Sequence, residues 1–122
     1  MSRVLLIEDN PANRRLLGDH LRRVGYEVIE AEDADSGLAI AFNDPVDLVV
    51  MDIQLPGTDG LTATRLLRAN ATTKAIPIIA VTAHAMRGDE ARILEAGCNA
   101  YTSKPIDYRE FLKQVAALID PA

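Results

Sequence analysis

The 122-residue chain is predicted to fold as one α/β domain spanning residues 1–122: a doubly wound, five-stranded parallel sheet in the order 2-1-3-4-5, with helices on both faces. Three observations carry this prediction. Short apolar runs alternate with longer amphipathic stretches five times from one end to the other. Two of those runs, residues 4–7 and 46–51, are apolar nearly throughout, as strands covered on both faces are, and they suit the central positions. A third run, residues 26–31, alternates in the manner of a half-exposed strand and suits an edge.

Taken in order, the first run is Val4, Leu5, Leu6 and Ile7. Asn10 can cap the helix that follows, with Pro11 at its first position, where a missing N–H costs nothing. Leu17, Leu21 and Val24 recur at helical spacing, Arg22 and Arg23 suit the negative end of the dipole, and Gly25 can close the helix. A second helix is expected over about residues 33–42, stopped by Asn43, Asp44 and Pro45. After the third strand, Pro56, Gly57, Asp59 and Gly60 form a loop before a helix carrying Leu61, Leu66 and Leu67. Pro77 opens the fourth strand, which runs through Val81. The fourth helix is expected over about residues 86–96, ending at Gly97, and its apolar face is thin, mainly Ile93, Leu94 and alanines. A short fifth strand falls near residues 99–102, and Asp107 with Glu110 reads as a capping box for a last helix carrying Phe111, Val115, Leu118 and Ile119. Right-handed crossovers leave few topologies for such a chain.

Composition narrows the function. Apolar residues make up 48% and charged residues 25%, which fits neither disorder nor a membrane protein. No apolar run approaches the ~18 residues of a spanning helix, and no basic-then-apolar leader opens the chain. A net charge of −5 argues against a dedicated nucleic-acid binder. The single Cys98 cannot make an internal disulfide or a multi-cysteine zinc site, and two histidines, His20 and His84, are too few for a His-rich metal centre. The expectation is a cytoplasmic protein with no nucleic-acid or membrane partner.

Ligands of open α/β sheets bind outside the carboxyl ends of the strands, where the strand order reverses. Strand one ends in Glu8 and Asp9, strand three in Asp52, strand four in Thr82, and strand five leads into Lys104 and Pro105. Singly, each has a plainer role: a helix cap, a solvated turn, a loop hydroxyl, a surface charge. Together they form a set with a chemistry. Crowded carboxylates repel unless a cation intervenes, and carboxylates, a carbonyl and waters are what Mg²⁺ takes. Lys104 and Thr82 suit phosphoryl oxygens, and an aspartate can act as a nucleophile that forms an aspartyl phosphate. The set therefore describes phosphoryl transfer onto a carboxylate.

On these residues the chain resembles the receiver domains of two-component response regulators, with their flavodoxin-like fold. The resemblance spans essentially the whole chain and rests on Leu6-Ile7-Glu8-Asp9-Asn10, Met51-Asp52-Ile53-Gln54-Leu55-Pro56 with Asp59-Gly60, Val81-Thr82-Ala83 and Lys104-Pro105. The stretch from Ala85 to Cys98 is similar to stand-alone receivers of bacterial cell-cycle phosphorelays and to receivers of hybrid kinases. The resemblance implies that Asp52 is the phosphoacceptor, charged by a histidine kinase or a histidine phosphotransfer protein. It implies Mg²⁺ held by Asp9, Asp52 and the Gln54 carbonyl, with Glu8 acting through water. It further implies that Thr82 and Lys104 contact the phosphoryl group, that Tyr101 turns inward with Thr82, that Gln54 and His84 tune dephosphorylation, and that the bond to Pro105 is cis. The face of helix four, strand five and helix five would then meet a downstream effector, in a protein that is a monomer or weak dimer. The acidic pair departs from the two aspartates of many members, being Glu8-Asp9.

Arg14, Arg15, Arg22 and Arg23 make the first helix basic, which reads as a solvated face or else as a docking surface for an acidic kinase partner. The expected function is a signalling switch with no output domain of its own, whose only catalysis is on its own Asp52. The alternatives are a phosphorylation-independent docking module and a flavodoxin-like cofactor carrier. The latter would want a Gly-rich phosphate cradle that the first loop lacks. An aspartyl-phosphate phosphatase would want an acid where Gln54 stands.

Overall fold

A computed structural model describes residues 2–83 and 89–120. Five parallel strands, β1 (Arg3–Ile7), β2 (Glu27–Ala31), β3 (Leu48–Asp52), β4 (Ile78–Thr82) and β5 (Ala100–Ser103), lie in the order β2-β1-β3-β4-β5. Between and after them run α1 (Pro11–Arg23), α2 (Ala34–Asn43), α3 (Gly60–Ala69), α4 (Asp89–Ala96) and α5 (Tyr108–Ile119). The register sets Leu5 beside both Ile29 and Val49, Asp52 beside Val81, and Thr82 beside Ser103.

Alternation along the central strands divides the core in two, because successive side chains leave opposite faces of the sheet. On one face Leu5, Ile7, Val49, Met51, Ile78 and Ala80 pack with residues of α2, α3 and α4. On the other, Val4, Leu6, Leu48, Val50, Ile79 and Val81 pack with Leu17 and Leu21 of α1 and Phe111 and Val115 of α5. Each fully buried side chain of this size stabilises the fold by about 1.5–3 kcal/mol through area removed from water. β2, at the edge, is only partly covered, as its alternation predicts.

The helix starts follow local chemistry. Asn10 accepts from the Asn13 N–H at 3.0 Å with Pro11 behind it, Asp33 accepts from Ser36 at 2.7 Å, and Asp59 from Thr62 at 2.8 Å. Asp107 accepts from both Arg109 and Glu110. Gly25 and Gly97 close α1 and α4 with φ of +101° and +114°, a region that favours glycine.

Four expectations are adjusted, the first being Val24, which follows the last turn of α1 and is exposed instead of joining Leu17 and Leu21 in the core. β3 starts at Leu48 and runs through Asp52, while the Asp47 carboxylate ahead of it accepts the Arg3 N–H at 2.7 Å. Leu66 is 46% exposed, because it sits about 100° round α3 from Leu67 and only one of the two can face the sheet. The same geometry exposes Leu94 beside buried Ile93. The beginning of the expected fourth helix, residues 86–88, lies outside the described residues. Arg68, at the end of α3, fastens the far side of the sheet by donating to the carbonyls of Lys74, Ile76 and Gly97 and to the Asn99 side chain.

Candidate functional site

At the carboxyl ends of the strands, β1 leads away to β2 on one side while β3 enters on the other, leaving a crevice between their tips. Glu8 and Asp9 follow β1 directly, and Asp52 is the last residue of β3. Oxygens of these three carboxylates lie within 4.8 Å of one another, the one such acidic or metal-ligating cluster found among the described residues. Glu8 and Asp52 are 1% and 3% exposed, whereas Asp9 faces solvent.

The loop after β5 brings the compensating charge. The Lys104 ammonium lies 3.1 Å from Asp52 Oδ2 and 3.4 Å from Glu8 Oε1, and its backbone N–H donates to the Thr82 carbonyl at 2.8 Å. Thr82, buried, ends β4 one residue beyond the register partner of Asp52. The other Asp52 oxygen accepts the Gln54 N–H at 2.9 Å, and the Gln54 side-chain oxygen accepts the Ala83 N–H at 3.3 Å. Glu8 Oε2 accepts the Asn10 N–H at 3.3 Å. The Lys104–Pro105 peptide is cis.

Electrostatics here are strained in a way that suits a cation. Burial, with the neighbouring Asp52 carboxylate adding to it, pushes the Glu8 carboxyl up to about 7 against the pull of the Asn10 N–H and the Lys104 charge. Burial works against the Lys104 ammonium, but its hydrogen bond to Asp52 and the charges of Asp52 and Glu8 prevail, and its pKa rises. Glu8 Oε1 is buried with no hydrogen bond, its contact being the Lys104 ion pair. Two buried acids, one exposed acid and an incompletely satisfied oxygen form a donor set that fits a hard divalent cation.

Tyr101 lies elsewhere: it pairs in register with Ala80, packs against the core beneath α4, and its phenol is raised by burial and by Glu90. It borders a groove shared with Leu94, Glu110 and Gln114, on the face of α4, β5 and α5. His84 lies outside the described residues. His20 stacks on Tyr108 at 3.9 Å, and Cys98 is buried with its sulfur 3.6 Å from the Thr64 hydroxyl. Two residues read in the sequence in other terms, Gly60 as part of a loop and motif and Arg14 as part of a basic helix face, also build the site. Gly60 brings α3 hard against the backbone of Asp52 and Ile53, and Arg14 donates to the Glu8 carbonyl at 2.9 Å.

The family model for the response regulator receiver domain matches residues 4–116, and the chain belongs to that family. It is 41% identical over 119 residues to the polar-differentiation response regulator DivK of Brucella ovis and of Brucella abortus, covering 98% of this chain and 97% of theirs. Among solved structures, it is similar to the receiver domain of the sensor histidine kinase PA1611 from Pseudomonas aeruginosa. That likeness has a TM-score of 0.90 and 37% identity, covers 97% of each chain, and the Pseudomonas receiver has a magnesium ion coordinated in its active-site cleft. A CheY-like response regulator receiver domain protein from Methanospirillum hungatei matches with a TM-score of 0.91 and 29% identity, over 99% of this chain and 95% of that one. No helix among the described residues is long and apolar enough to cross a membrane.

Proposed function

We propose that the chain is a cytoplasmic signalling switch that accepts a phosphoryl group on Asp52 from a histidine kinase or histidine phosphotransfer protein. One observation carries the reading: Asp52 sits buried at a strand tip with Lys104 3.1 Å from one oxygen and two further acids within 4.8 Å. An Asp52 oxygen attacks phosphorus, the P–N bond of the donor phosphohistidine breaks, and the imidazole departs with the electron pair. Lys104, already on Asp52 Oδ2, is within reach of the oxygens of the incoming group, and Thr82 flanks it from β4. A Mg²⁺ ion held by Asp9, Asp52 and the Gln54 carbonyl, with Glu8 through water, would neutralise charge on the transferring group. The magnesium in the active-site cleft of the similar Pseudomonas receiver supports a metal at this crevice, and the donor set is read from the acids gathered here.

Catalysis on this account is confined to Asp52 itself: its phosphorylation and the later attack of water on the acyl phosphate, which Gln54 and His84 would tune. Rearrangement of Thr82 and Tyr101 would carry the change to the face of α4, β5 and α5 for an effector or for onward phosphotransfer. The test is intact mass after incubation with acetyl phosphate, with and without Mg²⁺, beside Asp52→Asn. One Mg²⁺-dependent phosphoryl addition that vanishes in the variant is expected. Addition that persists in Asp52→Asn would move the acceptor elsewhere, and none at all in the native protein, from this donor or from a phosphorylated histidine kinase, would favour a docking module.

A further inference from the structure

The basic surface of α1 is not uniform. Arg15 is 86% exposed at its side chain, with only a loose pairing to Asp19 at 4.0 Å. Arg14, one residue earlier, is 19% exposed at its side chain and engaged at two of its nitrogens. Its Nη1 donates to the backbone carbonyl of Glu8 at 2.9 Å, and its Nε lies 3.3 Å from Glu30 Oε1 on β2. Glu30 is fixed from a second side, its other oxygen accepting from Arg22 Nη2 at 2.6 Å. The guanidinium therefore bridges the first residue of the acidic turn to a carboxylate on the neighbouring strand.

We propose that Arg14 is a positioning residue for the Glu8-Asp9 turn, acting through the Glu8 carbonyl and braced by Glu30; the inference rests on the Mg²⁺ reading above. The peptide groups on both sides of Glu8 are then held, its N–H donating to the Ala31 carbonyl at 3.0 Å and its C=O accepting from Arg14. With that carbonyl fixed, the following peptide and the Asp9 side chain have a defined direction of departure from β1. The Asn10 N–H is left aimed at Glu8 Oε2. A planar fork suits this task, because it can bond a carbonyl and a carboxylate at once; a lysine is a point charge that reaches one of them.

The charge and the bridge act in opposite directions on a bound cation, which makes the two separable. Guanidinium charge near a cation site opposes the cation, so if Arg14 acted by charge alone its removal would tighten Mg²⁺ binding. If it acts by holding the turn, its removal loosens binding, about tenfold or more for a group standing behind the ligands. The test is calorimetric titration with Mg²⁺ of the wild type, Arg14→Met, Arg14→Lys, Glu30→Gln and the Arg14→Met/Glu30→Gln double variant. Amide hydrogen exchange at Asn10 is read in the metal-free proteins alongside.

The expected result is about tenfold weaker Mg²⁺ binding in Arg14→Met, an intermediate loss in Arg14→Lys and Glu30→Gln, and a double variant no worse than Arg14→Met. Exchange at Asn10 should quicken in Arg14→Met. Tighter or unchanged Mg²⁺ binding in Arg14→Met would overturn the inference, as would losses that simply add. If the wild type binds no Mg²⁺, the metal reading fails separately, and the Asn10 exchange then decides alone whether Arg14 holds the turn.

Discussion

Gly60 offers a perturbation whose size can be worked from geometry. A Cβ built there falls inside contact distance of the Asp52 carbonyl oxygen, 2.8 Å from Ile53 Cα and 3.1 Å from the Asp52 carbonyl carbon. Ordinary carbon contacts stand at about 3.5–4.0 Å, and every neighbour in question is main chain that cannot swing aside. In Gly60→Ala, the first turn of α3 must therefore back away from the tip of β3 by roughly 1 Å, stretching the bond from the Gly60 N–H to the Ile53 carbonyl, now 3.1 Å. Forced overpacking of this kind costs about 1–3 kcal/mol. The better helix propensity of alanine returns up to about 1 kcal/mol, less at a first turn.

A net loss of about 1–2 kcal/mol should appear in urea unfolding as a lower midpoint at unchanged slope, and in melting as a fall of about 4–8 °C. Because the displaced main chain carries Asp52, Mg²⁺ affinity should fall in the same variant. An unfolding midpoint equal to or above that of the wild type, with Mg²⁺ affinity retained, would refute the reasoning.

Glu8→Gln tests the cost of burying a carboxylate. A folded pKa raised from 4.5 to about 7 means the native chain binds more protons than the unfolded one across that window, so metal-free stability declines as pH rises from about 4.5 to about 7. The decline is about 3 kcal/mol at most. In EDTA the wild type should lose urea resistance between pH 5 and pH 8, and Glu8→Gln should lose much less; parallel pH profiles would contradict this. Lys104→Met removes a cation 3.1 Å from Asp52 and 3.4 Å from Glu8, so Mg²⁺ should bind more tightly while phosphorylation by acetyl phosphate slows at least tenfold. Weaker Mg²⁺ binding, or an unchanged phosphorylation rate, would assign Lys104 another role.

The parts of this molecule that a sequence declares are those set by local pattern. Residues 4–7 and 48–51 are apolar throughout because helices cover both faces of the central strands, and β2 alternates because an edge is half covered. Asn10, Asp33, Asp59 and Asp107 cap helices with their own side chains, over two or three residues, which short-range spacing can express. The strand-tip acids were legible once the topology was assumed, since a parallel sheet brings every carboxyl end to one rim. Pairings across long separations leave no periodicity. Lys104 and Asp52 meet across fifty-two positions only because β5 and β3 flank β4. Arg14 looks like one of four equivalent helix arginines until Glu30 and the Glu8 carbonyl are seen beside it. Leu66 and Leu67 are likewise identical in composition and differ only in the face of α3 they occupy.

The central claim is that Asp52 carries the phosphoryl group, and the most direct measurement reads the residue itself. Borohydride reduces an acyl phosphate to the alcohol, so a phosphorylated aspartate becomes homoserine in the peptide chain. After phosphorylation in Mg²⁺, reduction and proteolysis, peptide sequencing by mass spectrometry should find homoserine at position 52 and nowhere else. Homoserine at position 9 or 59, or a phosphorylated protein that yields none, would contradict the account.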